Sequence, residues 1–148
     1  VFAAQATGCS PVTTAIKNGS ENIIPVKPNT IAKSIAIGNP ADGYYGIKTA
    51  NTSGGYGEDI SDEEIISAMK LLGETEGVFT ETAGGVTVGV TKKLVEQGRI
   101  KPDEVTVICI TGNGLKTQEA LASSFTAPPV IESNIKSFEE VYAKGCSA

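Results

Sequence analysis

The chain has 148 residues, enough for one domain with a buried core, and its 40% hydrophobic and 20% charged residues are typical of a globular protein. A net charge of −5 without a basic cluster argues against nucleic acid or an anionic membrane as a partner. The sequence contains no histidine, so it cannot build a Ser-His triad, a Cys-His pair or a His-ligated zinc site, and we predict no metal site.

The three cysteines, Cys9, Cys109 and Cys146, are odd in number, far apart and not arranged as a C-x-x-C pair. Cys109 lies inside an apolar run, where a small core residue is the simplest interpretation. This cysteine usage predicts a reducing, cytoplasmic compartment. No apolar segment reaches the length needed to span a bilayer.

The first 57 residues predict one strand and three helices joined by loops. Capping residues bound the first helix, because Ser10 can act as its N-cap, Pro11 suits its first position and Asn18-Gly19 provides a stop. The predicted elements are, in chain order, a strand over 1–5, a helix over 11–17, a loop over 21–29, a helix over 30–37, a helix over 42–50 and a glycine-rich connection over 51–57.

The helix predicted after this connection has the clearest pattern in the chain. Ser61 and Glu64 are three residues apart and form a capping box, and Ile60 and Ile65 are spaced as a hydrophobic staple. Gly73 is predicted to end the helix.

Residues 77–80 are predicted to form a short parallel strand that leads into a long helix closed by Gly98. Gly84 and Gly85 lie near the start of that helix, where glycine is less favourable than alanine. We therefore expect another part of the chain to pack closely against these two glycines.

Residues 105–110 (VTVICI) form an almost unbroken apolar run rich in β-branched side chains, typical of a strand buried on both faces of a parallel sheet. The run ends at the small residues 111–114 (TGNG). Ligands of open α/β sheets bind beyond the carboxyl ends of the strands, so Thr111 is predicted where its hydroxyl can meet a small molecule. The alternative is that Thr111 only caps the following turn.

The order of these elements predicts an α/β fold. Strands that alternate with helices are typical of a parallel sheet with helices on its faces. We therefore expect a three-layer α/β/α arrangement with a mostly parallel sheet. A second capping box, Ser137 with Glu140, predicts a last short helix.

Several segments, in this order and at this spacing, resemble the C-terminal half of threonine synthase, a pyridoxal phosphate (PLP) enzyme of the tryptophan-synthase-β-like fold, PLP fold type II. The segments are QATGCSP at 5–11, TIAKSIAIGNPADGYY at 30–45, SDEEIISAMKLLGETEGVFTETAGGVTVGV at 61–90 and VTVICITGNGLKT at 105–117. The resemblance covers residues 1 to about 122. It implies that 1–122 form the C-terminal part of a PLP-dependent catalytic domain and that 123–148 form a tail.

The resemblance assigns Thr111 to the hydroxyl that faces the pyridine nitrogen of PLP. A neutral hydroxyl, unlike a carboxylate, does not force protonation of that nitrogen. The ring therefore withdraws electrons from the substrate less strongly. Gly112 and Asn113 would shape the same wall of the site.

Glu81 matches an acidic residue near the cofactor ring. The alternative is a carboxylate that stabilises the N-terminus of the following helix. Ile37, Gly38 and Asn39 match a stretch that passes the face of the cofactor, although a plain turn after a helix would also explain them.

The family also needs a Schiff-base lysine and a loop whose backbone N–H groups hold the cofactor phosphate. Both belong to regions that precede the segment 5–11, so we expect them to be missing here and assign no catalytic residue. Five lysines are predicted to be solvated charges: Lys48, Lys70, Lys92, Lys93 and Lys101. The chain is thus expected to carry one wall of a PLP site, with PLP bound in the intact enzyme and not by this chain alone.

The resemblance implies that the parent enzyme converts O-phosphohomoserine and water to threonine and phosphate, and that this fragment alone is inactive. One alternative is an isolated half-domain that binds an anion or an interaction partner. Another is a fragment of a related serine or threonine dehydratase. An exposed sheet edge and apolar face would favour a homodimer or another association through that face.

Overall fold

The computed structural model describes residues 1–122, 124–125 and 128–145, so Cys146 lies outside the described residues. The strands and α-helices are β1 Ala3–Ala6, α1 Pro11–Lys17, α2 Gly43–Thr52, β2 Gly57–Ile60, α3 Asp62–Glu76, α4 Thr82–Glu96, α5 Glu119–Ala122 and α6 Ile135–Gly145. Short 3-10 turns cover Lys33–Ile35 and Gly114–Lys116. None of the described helices is long and apolar enough to cross a membrane.

Strands β1 and β2 form a parallel two-stranded sheet in which Ala3 lies opposite Gly57 and Ala6 opposite Ile60. Side chains alternate between the two faces of a strand. Accordingly, Ala3 packs against a core cluster built from α1 and α2, whereas Ala4 and Ala6 pack against a cluster built largely from α3 and α4. Helices on both faces of a parallel sheet confirm the predicted three-layer α/β/α fold.

The larger core lies between α3, α4 and the sheet. Its large and fully buried side chains are Ile60, Ile65, Met69, Val86, Val90 and Leu94. A Cβ on Gly85 would lie 2.6 Å from Met69 Cγ and 3.0 Å from the Ile65 carbonyl oxygen. One on Gly84 would lie 1.8 Å from Thr80 Oγ1. The expectation that close neighbours surround these two glycines is therefore confirmed.

The capping box of α3 is confirmed. The Glu64 N–H donates to Ser61 Oγ at 3.3 Å, and the Ser61 N–H donates to Glu64 Oε2 at 2.7 Å. The predicted end at Gly73 is wrong, because α3 continues to Glu76 and Gly77, with φ of 68°, supplies the left-handed terminus. Glycine inside a helix costs only about 1 kcal/mol relative to alanine, so Gly73 does not by itself stop α3.

Helix α1 begins at Pro11 and ends before Asn18, as predicted, but the Ser10 side chain makes no capping hydrogen bond. Instead, Gln5 Oε1 accepts hydrogen bonds from the backbone N–H groups of Val12 and Thr13, at 2.9 and 3.0 Å. A side chain of β1 thus satisfies the free donors of the first turn.

Residues 30–37 do not form the predicted helix, since only the 3-10 turn occurs there. The Thr30 hydroxyl and the Ile31 N–H both donate to the Asp62 carboxylate, at 2.5 and 3.1 Å, and these bonds compete with helical ones. Three residues of this segment still pack against the larger core: Ile31, Ala32 and Ile35.

The predicted strand over 77–80 is wrong, because this segment contributes one isolated antiparallel bridge, between Thr80 and Asn113. Strand β2, in contrast, was not predicted. Its sequence, Gly-Glu-Asp-Ile, contains residue types that are depleted in strands, and its acidic side chains are stabilised by partners from other elements.

Residues 105–110 do not form the predicted buried strand, although the sequence pattern favours one. Val105 and Val107 are 97% and 85% exposed. Cys109 is also exposed, so its assignment to the core is wrong. A buried strand requires neighbours for pairing and packing, and within the described residues this segment has no paired strand.

The last helix, α6, begins at Ile135, so the predicted capping box of Ser137 with Glu140 is wrong. Asn134 Oδ1 accepts a hydrogen bond from the Ser137 N–H at 2.9 Å and thereby caps this end of the helix.

Candidate functional site

The first residues of α4 meet the loop that follows residue 110. The Glu81 N–H donates to the Gly112 carbonyl oxygen at 3.0 Å, and the Gly114 N–H donates to the Phe79 carbonyl oxygen at 3.0 Å. We call this region, residues 79–82 and 111–117, the α4 junction. It brings together four residues predicted from the sequence to lie near a ligand, namely Glu81, Thr111, Gly112 and Asn113.

Glu81 lies at the N-cap position of α4 and is only 4% exposed. Its side chain makes no capping hydrogen bond, and Oε1 lies 3.5 Å from Lys116 Nζ. A Cβ on Gly112 would lie 1.8 Å from the same Oε1, so any larger residue would have to displace this carboxylate. The carboxylate is therefore placed to interact both with the helix dipole and with Lys116.

Thr111 is exposed, and its hydroxyl has no hydrogen-bond partner among the described residues. The alternative that Thr111 caps the next turn is not observed, because Asn113 Oδ1 accepts the hydrogen bond from the Leu115 N–H at 2.9 Å. The Thr111 hydroxyl is thus free to donate to, or accept from, a bound molecule.

Thr82 and Thr117 also belong to the α4 junction and were not singled out from the sequence. The Thr82 N–H donates to Thr117 Oγ1 at 3.2 Å. Thr82 Oγ1 is buried and has no hydrogen-bond partner within the described part of the chain. A buried hydroxyl without a partner costs free energy. Nothing in the local sequence pattern distinguishes these threonines from ordinary helix and loop residues.

Ile37, Gly38 and Asn39 lie in a separate loop. The Val26 N–H donates to the Gly38 carbonyl oxygen at 3.0 Å, and a Cβ on Gly38 would lie 1.8 Å from the Val26 carbonyl oxygen. No hydrogen bond or ion pair among the described residues joins this loop to the α4 junction. The preceding 3-10 turn does contact α4, so both regions lie beside the same helix.

A charge cluster around the buried Glu58 carboxylate lies at the other end of α4. Burial raises the pKa of Glu58, but hydrogen bonds from Lys17 and Gln97 outweigh this effect and lower the pKa to about 2. The Lys17 pKa changes in the opposite direction, because hydrogen bonds to Asp59 and Glu58 outweigh the effect of its burial and raise it. We call these residues, with Lys93, the Glu58 cluster.

Two lysines predicted to be solvated are instead half-buried. Lys93 Nζ donates to the Asp59 carbonyl oxygen at 2.8 Å and lies 3.6 Å from Glu58 Oε1. Lys70 Nζ lies 5.3 Å from the centroid of the Phe125 ring. The predictions that Lys93 and Lys70 are solvated are therefore wrong, because both lysines contact residues far away in the sequence.

The threonine synthase of Methanocaldococcus jannaschii is 39% identical over 138 residues, covering 93% of this chain and 34% of that protein. That of Methanosarcina acetivorans is 39% identical over 138 residues, covering 92% and 34%. That of a Bacillus species is 45% identical over 98 residues, covering 66% and 28%. The chain thus spans about a third of the length of these relatives, and the resemblance to threonine synthases is confirmed.

The family described as pyridoxal-phosphate dependent enzyme matches residues 1–112, a range that includes Glu81 and the loop around Gly38. This range also includes both strands of the sheet and α1 to α4. Because the match covers three quarters of its length, the chain belongs to the family of pyridoxal-phosphate-dependent enzymes.

Proposed function

We propose that this chain is a portion of a threonine synthase, which converts O-phosphohomoserine and water to threonine and phosphate, and that it contributes one wall of the PLP site. The proposal rests mainly on the α4 junction, where the backbone bond between Glu81 and Gly112 joins two segments that resemble cofactor-site segments of this family. Within this proposal, residues 1–122 belong to the catalytic domain and 123–148 form a tail. The enzyme is cytoplasmic.

The residues of the α4 junction fit the ring end of PLP better than its phosphate end. Glu81 is a buried carboxylate whose one cationic neighbour among the described residues is Lys116, so a phosphate placed here would meet a carboxylate at short range. The neutral Thr111 hydroxyl, in contrast, can donate a hydrogen bond to a ring nitrogen or accept one from it. The phosphate is therefore assigned to residues outside the α4 junction.

Each residue has a specific task in this proposal. Thr111 hydrogen-bonds the ring nitrogen, Gly112 and Asn113 form the wall beside it, and Glu81 holds that wall through its contact with Gly112. Bound PLP supplies an electron sink for substrate carbanions. Because the Thr111 hydroxyl is uncharged, it limits protonation of the ring nitrogen and so adjusts how strongly electrons are withdrawn.

The loop containing Ile37, Gly38 and Asn39 is assigned to the face of the cofactor ring. Ile37 is 57% exposed, which leaves apolar surface for such a contact. Its position beside α4, through the preceding 3-10 turn, supports this assignment.

The first test is made in the intact enzyme, because PLP is expected to bind there and not to this chain alone. Titration of PLP into the apoenzyme, followed by the absorbance of bound PLP, measures the binding. Thr111→Val should weaken this binding by about 3- to 10-fold, the worth of one hydrogen bond. Thr49→Val is the matched control, because Thr49 is an exposed threonine on α2. Equal effects of the two substitutions would contradict the role of Thr111.

A second test asks whether the chain binds PLP through a lysine of its own. We expect borohydride reduction after incubation with PLP to label several lysines, each far below one equivalent. The exposed lysines offer no selective site, and the amines of Lys17 and Lys93 are held by the Glu58 cluster. Intact mass and peptide mapping would measure this, and stoichiometric labelling of a single lysine would overturn the proposal that this chain supplies one wall alone.

An interaction module is the second candidate, and the exposed segment 105–110 is the observation that favours it. Apolar side chains with unpaired backbone are unusual on the surface of an isolated domain and are typical of interfaces. This candidate predicts association of the chain without any cofactor.

A further inference from the structure

A pocket of about 370 Å³ is lined by α3, by Phe79 and by residues of the segment 118–125. This volume is near the lower end of the range of about 300–1,000 Å³ that is usual for small-molecule sites. The buried side chains of Met69 and Leu121 form part of the lining. Phe79 and Phe125 also line the pocket, and they are 42% and 63% exposed. An apolar group that enters the pocket would therefore remove aromatic surface from water.

Two residues of opposite charge, one turn apart on α3, line the same pocket. Lys70 Nζ lies 5.3 Å from the centroid of the Phe125 ring and donates to the Ser124 carbonyl oxygen at 3.4 Å. Glu74 follows four residues later and is exposed. Opposite charges at this spacing on a helix are close enough to pair. Among the described residues, however, neither Lys70 nor Glu74 takes part in an ion pair.

These two charges restrict the kind of ligand that suits the pocket. An apolar anion would meet the amine of Lys70 but also the carboxylate of Glu74, and an apolar cation would meet the same two groups with the signs reversed. A ligand that carries both charges close together can pair with both residues. An apolar side chain attached to an adjacent ammonium and carboxylate group has this combination, and it is an apolar α-amino acid.

We propose that this pocket binds an apolar α-amino acid as a zwitterion. The side chain of the ligand lies against Met69, Leu121 and the two aromatic rings, its carboxylate pairs with Lys70, and its ammonium group pairs with Glu74. This inference goes beyond the proposed function, because no residue that lines the pocket is assigned there to PLP.

Phe79 belongs both to the pocket and to the α4 junction. Its carbonyl oxygen accepts the hydrogen bond from the Gly114 N–H at 3.0 Å, and a Cβ on Gly114 would lie 2.4 Å from Cε2 of the Phe79 ring. A ligand that packs against this ring holds Phe79 in place and thereby stabilises its contact with Gly114. We therefore expect the Gly114 amide to exchange its hydrogen more slowly when the pocket is filled.

The test is a titration of the isotope-labelled chain with L-leucine and L-phenylalanine, followed by its amide resonances. The chain itself is sufficient, because its own residues line the pocket. We expect saturable binding with a Kd of about 0.1 to 5 mM, as suits so small a ligand, and larger shifts at 70–74 and 118–122 than on α2. Two analogues of leucine should bind at least about 3-fold more weakly: 4-methylpentanoate, which lacks the ammonium group, and 3-methylbutylamine, which lacks the carboxylate.

Substitutions of the two charged residues test their separate roles. Glu74→Gln should weaken the binding of L-leucine about 3- to 10-fold but should not weaken that of 4-methylpentanoate. Glu76→Gln is the matched control, because Glu76 is an exposed glutamate of the same helix that does not line the pocket. Lys70→Met keeps an apolar side chain of similar shape and should weaken L-leucine to a similar degree, but not 3-methylbutylamine.

Two results would overturn the proposal. One is the absence of saturable binding of either amino acid up to about 20 mM, and the other is an equal effect of Glu74→Gln and Glu76→Gln on the binding of L-leucine. Circular dichroism checks that each variant is folded. No PLP is present in this titration, so its outcome is independent of the test of Thr111.

Discussion

Gly85→Ala is expected to lower the free energy of unfolding by about 2 kcal/mol, although alanine is the better helix former. The added methyl group would lie 2.6 Å from Met69 Cγ and 3.0 Å from the Ile65 carbonyl oxygen. Met69 is itself buried and the carbonyl belongs to α3, so neither atom can withdraw freely. Helices α3 and α4 would have to move apart, which reduces packing along the main core.

Gly73→Ala is the matched control, because it makes the same change inside α3 where a Cβ meets no atom within 4 Å. It should raise the free energy of unfolding by up to about 1 kcal/mol through helix propensity alone. Urea denaturation of both variants would measure the contrast. If Gly85→Ala were as stable as Gly73→Ala, the close approach of α3 and α4 would not be a constraint on the fold.

Features that depend on residues close together in the sequence could be predicted from it. The capping box of α3 needs only Ser61 and Glu64, and the start of α1 needs only the fixed φ of Pro11. The three-layer arrangement was predicted, although β1 is the only predicted strand that forms within the described residues and β2 was missed. Even the close packing at Gly85 could be expected, although the sequence could not identify Met69 as the neighbour.

Features that depend on distant partners could not be predicted. The hydrogen bonds from Thr30 and Ile31 to Asp62 take the place of the helix that the sequence predicts over 30–37. The segment 105–110 has the composition of a buried strand, but a strand requires a neighbour, and composition says nothing about whether one is there. Strand β2 was missed because its composition is unfavourable for a strand although its partners are present. Its acidic residues are stabilised by lysines of α1 and α4.

The candidate site also combines features that the sequence predicts with contacts that it does not predict. The pattern of residues 105–114 alone predicted a ligand loop at Thr111, and the resemblance linked it to Glu81, 30 positions earlier. The structure adds the contact of Glu81 with Gly112 and the ion pair with Lys116. No local pattern indicates Lys116, because its partner is remote in the sequence.

The Glu58 cluster is expected to make the chain less stable at acid pH. The Glu58 pKa is about 2 in the folded chain, compared with an ordinary value of 4.5. A depressed carboxyl pKa contributes stability that is fully present above the ordinary value and is lost as the pH falls towards the folded value. Between about pH 4.5 and 2 the chain should therefore lose roughly 3 kcal/mol through Glu58 alone.

Glu58→Gln isolates this contribution, because it keeps the shape of the side chain but removes the charge that Lys17 and Lys93 contact. At pH 7 we expect the free energy of unfolding to fall by about 3 kcal/mol, and the difference from the native sequence should shrink as the pH is lowered through this window. Glu96→Gln is the control, since Glu96 forms only an exposed pair with Lys92 among the described residues, and this substitution should cost less than about 0.5 kcal/mol. Urea titrations between pH 7 and the acid limit measure both variants. A loss for Glu58→Gln that stays constant with pH would show that the carboxylate stabilises the fold through the geometry of its hydrogen bonds and not through its charge.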